Sequence, residues 1–221
     1  MSDTVLVVAA HPQDEILGVG GTIAKHTRNG DKVSVVLMSE GAGEELTEQR
    51  VSVLRKEAEA AASILGVEKV FRLSFPYMCF NAIPMIELTR DLYEVVNQVA
   101  PDIVYTHHRG DIHTDHQMVW SATMVVTRSF GKKIVKKILS YEDPSCTRWA
   151  PPFLEYAFIP NCFEDITDTI DIKMKALEAY ESEHRAYPHP RSAEALRLVA
   201  EVWGIKISAG PTEAFELVRS L

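Results

Sequence analysis

The sequence has little of what a secreted, membrane-spanning or nucleic-acid-binding protein needs. Its 221 residues include only three cysteines, and none lies in a CxxC pair, which argues against a disulfide framework or a thiolate zinc site. No apolar run reaches the roughly 18 residues that span a bilayer, and the first residues lack a signal-peptide pattern. A formal net charge of -8 disfavours nucleic acids and anionic membranes as partners. These absences predict a soluble, cytoplasmic protein that does not bind nucleic acid.

Basic residues cluster in one segment only, GKKIVKK at residues 131–137. Its lysines are interleaved with isoleucine and valine. This pattern is typical of the solvated face of an edge strand, and we favour that interpretation over a phosphate-binding patch.

Apolar, β-branched runs alternate with helical patterns through the first half of the chain. The runs TVLVVAA, KVSVVLMSE and DIVYTHH are separated by predicted helices of about ten to twenty residues. Such alternation predicts parallel strands joined by right-handed crossovers, with helices on both faces of the sheet. We therefore expect an α/β, Rossmann-like three-layer sandwich with a mainly parallel sheet, formed by a single domain over residues 1–221.

The second half is less regular. Two further strands are predicted in KKIVKKILSYE and EYAFIPNCFEDI, and two helices around TIDIKMKALEAYESEH and SAEALRLVAEVWG. Tyr180, Trp203 and Phe215 fall at helical core spacing. Gly30 and Gly66 are predicted to end helices in the left-handed conformation.

Two polar clusters follow strands of the predicted sheet, HPQDE at residues 11–15 and HHRGDIHTDH at residues 107–116. Ligands collect at the carboxyl ends of strands in open parallel sheets. Each cluster contains a pair three residues apart, His11 with Asp14 and His113 with His116. Two or three imidazoles and a carboxylate suit a divalent metal such as zinc, with one position open for water.

Each cluster alone also has an ordinary structural interpretation. The first can be a turn whose aspartate caps a helix, and the second a solvated histidine-rich loop. Predicted placement on adjacent strand ends favours a shared metal site. Gly18, Gly20 and Gly21 lack the tight turn of a dinucleotide fingerprint, so we expect them to permit close helix packing. His107 and His108 end a strand and are predicted to cap the sheet or support the metal histidines.

The segment AAHPQDEILGVGGTIAKH resembles the AHPDDE motif of the PIG-L/LmbE-like family of zinc-dependent N-acetyl-sugar deacetylases, and HTDH resembles that family's HxDH motif. The resemblance continues through LRKEAEAAASILGV, PDIVYTHH, ALEAYESE and HPRS, nearly the whole chain. It implies a Rossmann-like fold, a homo-oligomer, and hydrolytic release of acetate from an N-acetylated amino sugar, either free or linked to a nucleotide or lipid.

On the matching positions, the resemblance implies that His11, Asp14 and His116 bind Zn²⁺, with another divalent metal such as Fe²⁺ as an alternative. His113, in protonated form, would stabilise the oxyanion of the tetrahedral intermediate. Asp115 would orient a neighbouring histidine.

Two arginines and a late loop are weaker candidates. Arg55 is the position at which the resemblance implies a contact with a substrate hydroxyl, with Arg50 as a close competitor and a surface ion pair as the simpler account of either. In YPHPRS, residues 187–192, His189 and Arg191 are interpreted equally as substrate or subunit contacts and as parts of a surface turn.

Gln13 departs from the family's pattern, in which an aspartate acts here as general base beside the metal-bound water. A carboxamide cannot accept a proton near neutral pH. Three interpretations stay open: an aspartate replaced to trap substrate, another base such as His113, or a binding protein that has lost its chemistry. The sequence thus predicts a metal-dependent N-acetyl-sugar deacetylase or, alternatively, a zinc-containing sugar-binding pseudoenzyme.

Overall fold

A seven-stranded sheet organises the part of the chain that the computed structural model describes, residues 2–41, 47–128 and 134–221. The strands are β1 (Thr4–Ala9), β2 (Lys32–Leu37), β3 (Lys69–Arg72), β4 (Ile103–His107), β5 (Lys137–Tyr141), β6 (Cys162–Asp165) and β7 (Thr212–Ser220). Their order is β3-β2-β1-β4-β5-β7-β6, with the first five parallel and β7 antiparallel to both neighbours. The predicted α/β fold with a mainly parallel sheet is confirmed.

Helices cover both faces of the sheet. They are α1 (Asp14–Arg28), α2 (Glu48–Leu65), α3 (Met85–Val99), α4 (Thr114–Val126), α5 (Ile170–Glu178) and α6 (Ala193–Ile207). α1, α2, α5 and α6 contribute to one hydrophobic core, and α3 and α4 contribute to the other. Within the described residues, no helix is both long and apolar enough to cross a bilayer.

β1 shows why this sequence forms a central strand. Its side chains point alternately to opposite faces, so Val5 and Val7 enter the first core while Leu6 and Val8 enter the second. None of these four side chains is exposed. Burial on both faces explains the unbroken apolar run that the sequence shows.

The glycines of α1 permit close packing, as predicted. A Cβ atom on Gly18 would overlap the ring of Tyr141, and one on Gly21 would overlap Ile166. The Tyr141 hydroxyl donates to the Val8 carbonyl at 2.9 Å, which fixes the ring against α1. Thus the glycines bring α1 against β5 and the segment before α5.

Two local predictions are wrong. Phe215 lies in strand β7 rather than a helix, because the C-terminal segment pairs between β5 and β6. Lys137 begins β5, which is flanked by β4 and β7 and is therefore no edge strand. Residues 131–133 of the basic cluster lie outside the described residues. Gly30 and Gly66 adopt φ angles of 84° and 75°, which confirms the predicted helix ends.

Candidate metal centre

Pairing of β1 with β4 brings the two polar clusters together. The strands are parallel neighbours, with Val7 opposite Tyr105, so their carboxyl ends meet at one edge of the sheet. His11 lies just beyond β1 and His107 ends β4. α1 and α4 begin at the same edge, and their first turns contribute Asp14 and His116.

One carboxylate oxygen lies at the middle of this cluster. Asp14 Oδ2 is 3.3 Å from each of three ring nitrogens, His11 Nδ1, His107 Nε2 and His116 Nε2. It also accepts the backbone N–H of His11 at 2.9 Å. All four side chains are buried. The structure thus brings together the three residues predicted as ligands.

The second nitrogen of each predicted ligand histidine faces another carboxylate. His11 Nε2 is hydrogen-bonded to Asp115 Oδ2 at 2.9 Å, and His116 Nδ1 lies 3.1 Å from Asp111 Oδ2. The second contact is within ion-pair distance but lacks hydrogen-bond alignment. Metal-binding histidines ordinarily have this environment, since the outer carboxylate fixes the ring and makes it a better donor. The donor set therefore fits a divalent ion such as Zn²⁺.

Asp115 is held by the backbone as well as by His11. Its Oδ2 accepts from Met78 N at 2.7 Å and its Oδ1 from Phe80 N at 3.0 Å. Burial raises the pKa of Asp115, but the hydrogen bonds from His11 and Phe80 outweigh burial and lower the pKa below its usual value. An ionised, fixed carboxylate is what orienting a histidine requires.

The cluster strongly favours an added positive charge. Burial raises the pKa of Asp14, yet the charge of His116 and bonds from the histidines hold it well below its usual range. Burial lowers the pKa of His116, but Asp14 and Asp111 outweigh that effect and hold it well above its usual range. A proton on His116 balances the negative charges of two buried carboxylates, Asp14 and Asp111. A metal ion bound to His116 would displace that proton and supply the positive charge instead.

In the part of the chain that the structure describes, three overlapping groups of donor atoms could hold an ion; His116 belongs to each, and none is the complete predicted set of His11, Asp14 and His116. The groups are His11 with His113 and His116, Asp14 with His107 and His116, and Asp111 with His116 and Cys146. Because His116 is common to all three, its substitution tests metal binding most directly.

His113 lies beside the cluster as a neutral donor. Its ring stacks on His116 at 4.6 Å, and Nδ1 accepts the Asp115 backbone N–H at 3.2 Å. Burial, followed by the charges of His116 and His11, lowers the pKa of His113 to about 4. The expected protonated form is therefore disfavoured near neutral pH. With Nδ1 accepting, the neutral ring carries its hydrogen on Nε2 and can still donate.

Gln13 is buried in a conformation that is uncommon for its residue type. Its φ of 88° is left-handed, and its side chain is 1% exposed. Oε1 has no hydrogen-bond partner among the described residues. A buried, unsatisfied amide oxygen is costly unless water or a ligand completes it, so Gln13 indicates an incomplete site next to Asp14.

Arg55 is committed to an ion pair. It contacts Glu40 through Nε and also through Nη2, the latter at 2.9 Å from Oε1. Both residues line a small hollow that includes Pro12, so Arg55 adjoins the first motif. Arg50 pairs instead with Glu183. A substrate contact from Arg55 stays a prediction.

The sequence pattern does not identify every residue of the centre. It assigns no role to Asp111, which contacts His116 and accepts from His113 N at 2.8 Å. His107 was only a supporting candidate, yet it touches Asp14 and stacks on His116 at 3.8 Å. The signal for Asp111 was its position inside the histidine-rich segment, but an acidic loop residue has many other uses.

Fold and site together define a class: an α/β protein with a buried His/Asp centre, fitted to a metal ion, at the carboxyl edge of its sheet. The sequence profile of the GlcNAc-PI de-N-acetylase family, PIG-L, matches residues 6–127. This match covers more than half of the chain, which therefore belongs to the PIG-L family.

Relatives within this family differ in chemistry. The chain is 30% identical over 188 residues to the uncharacterized deacetylase YaiS of Escherichia coli K12, covering 80% of this chain and 90% of that one. It is 30% identical over 202 residues to a 4-oxalmesaconate hydratase of Pseudomonas putida, covering 79% of this chain and 72% of the hydratase. A crystal structure of N,N'-diacetylchitobiose deacetylase from Pyrococcus horikoshii superposes with a TM-score of 0.77 at 25% identity, covering 97% and 83%.

Proposed function

We propose that the protein is a metal-dependent hydrolase that removes the acetyl group from an N-acetylated amino sugar or glycoconjugate. His11, Asp14 and His116 hold the ion, Zn²⁺ in the first instance. The observation that carries this proposal is the convergence of His11 Nδ1 and His116 Nε2 on Asp14 Oδ2, each ring facing a further carboxylate. The deacetylases among its relatives support the same chemistry.

A bound divalent ion supplies a nucleophile at neutral pH by lowering the pKa of its water toward roughly 7. The chain's own residues supply the remaining parts. Asp115 and Asp111 fix the rings of His11 and His116. Neutral His113 donates its Nε2–H to the oxygen that becomes negative when the acetamide carbonyl is attacked.

Proton transfer is the weak step of this site. Gln13 can hold a water by hydrogen bonding but cannot take its proton. His113 is a poor base, because its pKa is lowered to about 4. The carboxyls of Asp14 and Asp115 also have lowered pKa values. We therefore propose slow turnover with Gln13 in place.

Acetate release tests the proposal. The zinc-loaded protein is incubated with a panel of acetamido sugars, and both acetate and free amine are measured. We expect slow release of acetate and free amine in equal amounts from at least one sugar, and no release with His116→Ala. Tight sugar binding without acetate release, even in a variant with a carboxylate at position 13, would favour the sugar-binding pseudoenzyme instead.

Hydration is a second candidate, favoured by Gln13 and by the hydratase among the relatives. Adding water to an activated double bond would use the same activation of water that a bound ion supplies, but it breaks no amide. Incubation with an unsaturated dicarboxylate, monitored by its ultraviolet absorbance, separates the two reactions. Loss of absorbance, together with no acetate release from the acetamido sugars, would support hydration.

Assembly and surroundings are proposals too. We propose a homo-oligomer in the cytoplasm that acts on a small N-acetylated sugar, either free or carried by a nucleotide or lipid. Light scattering at micromolar concentration tests the first point, and a monomer would contradict it.

A further inference from the structure

An arginine in the late loop is linked by hydrogen bonds to a residue that contacts the metal centre, and within the described part of the chain it has no ion pair with an acid. Arg191 follows the segment Tyr187–Pro188 and precedes α6. It is half-buried, and its Nε donates to Ser145 Oγ at 2.9 Å. Among the described residues, no carboxylate forms an ion pair with it. Its guanidinium interacts with the side chains of Ser145 and Cys146 but with no described carboxylate at ion-pair distance, so it can still bind an anionic acceptor from outside the chain.

Hydrogen bonds hold this arginine in one place. Ser145 Oγ donates to Asp143 Oδ1 at 2.6 Å, and the same oxygen accepts from Ser145 N at 2.6 Å and Cys146 N at 2.9 Å. Three donors on one oxygen fix the turn that carries Ser145. The position of the guanidinium is therefore set before any ligand arrives, which lowers the entropic cost of binding.

The same turn is joined to the predicted metal ligands. Asp143 N donates to Thr147 Oγ1 at 2.8 Å, and that hydroxyl donates to Asp111 Oδ2 at 2.8 Å. Asp111 in turn contacts His116. Arg191 is thus connected to His116 through four residues, Ser145, Asp143, Thr147 and Asp111.

Electrostatics agree with this placement. Burial lowers the pKa of Arg191, but Asp143 and Asp14 attract its charge and outweigh burial, so the pKa is raised. Asp143 Oδ2 is enclosed and unbonded, so it balances the arginine at a distance without occupying its N–H groups. Within an acidic protein, this cation gives the rim of the site a local preference for anions.

We propose that Arg191 recognises an anionic group on the substrate, a carboxylate or a phosphate, and so confines the site to acidic acetamido sugars. The acetamido sugar in this inference rests on the proposed function, whereas the contact between Arg191 and an anion does not. A guanidinium matches either group through paired N–H bonds, which a lysine ammonium does not reproduce.

Calorimetry on the zinc-loaded protein tests this directly, whether or not turnover occurs. The probes are N-acetylglucosamine, its 1- and 6-phosphates, and N-acetylmuramic acid, which carries a carboxylate. We expect the wild-type protein to bind at least one anionic probe more tightly than the neutral sugar. Arg191→Gln should weaken that probe by about 10- to 100-fold, the range for hydrogen bonds to charged groups, and leave the neutral sugar within about threefold.

Two variants separate recognition from structure. Arg185→Gln removes the same charge just before this loop, where Arg185 contacts Glu183 and the His184 carbonyl, and should leave anion affinity unchanged. Arg191→Lys keeps the charge and should restore only part of the preference. Thermal unfolding of each variant checks the fold.

Several results would overturn the inference. The first is a wild-type protein that shows no preference for anionic probes, including one that binds no probe. The second is an Arg191→Gln variant that loses equal affinity for neutral and anionic probes. The third is an Arg185→Gln variant that weakens anion binding as much as Arg191→Gln does. Anion-selective binding without acetate release would support the role of Arg191 while contradicting the proposed deacetylation. Acetate release from neutral sugars that is unchanged in Arg191→Gln would support the proposed deacetylation and contradict the role of Arg191.

Discussion

At the residue scale, Gln13 sets the rate of the proposed chemistry. Gln13→Asp places a proton acceptor beside the nucleophilic water, and we expect acetate release to rise by roughly 10²- to 10⁴-fold. The Michaelis constant should change little, because amide and carboxylate both hydrogen-bond the water in the ground state. Steady-state kinetics measure both values. Gln13→Asn, which keeps an amide, is the control, and a variant no faster than wild type would mean that the base lies elsewhere.

His113 is the second residue whose role the geometry sharpens. His113→Ala should lower kcat by about 10²- to 10³-fold, as expected for loss of an oxyanion donor, while metal content stays unchanged. Because its pKa is lowered to about 4, His113 is already neutral at pH 5.5. Activity should therefore not fall between pH 5.5 and 8 through loss of its proton. A decline there that His113→Ala removes would show that the imidazolium acts.

At the scale of elements, the first turn of α1 contains a buried acid. Burial raises the pKa of Glu15 from 4.5 to about 7, although the Tyr180 hydroxyl bonds its Oε1 at 2.6 Å. The folded pKa exceeds the unfolded one, so the folded state holds the proton more tightly. This contribution to stability is complete below about pH 4.5 and is lost as pH rises through 7.

Metal-free protein should show this effect as a free energy of unfolding that falls by up to ~3 kcal/mol between those limits. Urea unfolding of wild type and Glu15→Gln, compared at each pH, isolates the contribution, because other titrations are common to both. If the difference between the two proteins does not change with pH, Glu15 is not protonated in the fold.

Strands and motifs also show how far sequence alone can go. β1 and β4 were predictable, because burial on both faces leaves a continuous apolar run and ligands gather where parallel strands end. The position of β7 was not, since local periodicity does not say which strands pair, and Phe215 fits either pattern. The role of Asp111 was not predictable for a similar reason, because its contact with His116 depends on how the loop folds back.

At the scale of the whole molecule, the candidate centre joins segments that are far apart in the chain. His11 lies between β1 and α1, Asp14 begins α1, and His116 belongs to α4, while the backbone of residues 78–80 fixes Asp115. An ion bound there would link both halves of the parallel sheet. Metal should therefore raise the midpoint of thermal unfolding, and a chelator should reverse the change.

Metal content of purified variants tests the central claim most directly. After zinc loading and dialysis, elemental analysis should find about one divalent ion per chain in wild type and almost none in His11→Ala or His116→Ala, since two remaining ligands hold zinc poorly. His184→Ala, which removes an exposed histidine away from the cluster, should keep the ion. Full occupancy in both ligand variants would contradict the assignment of this centre.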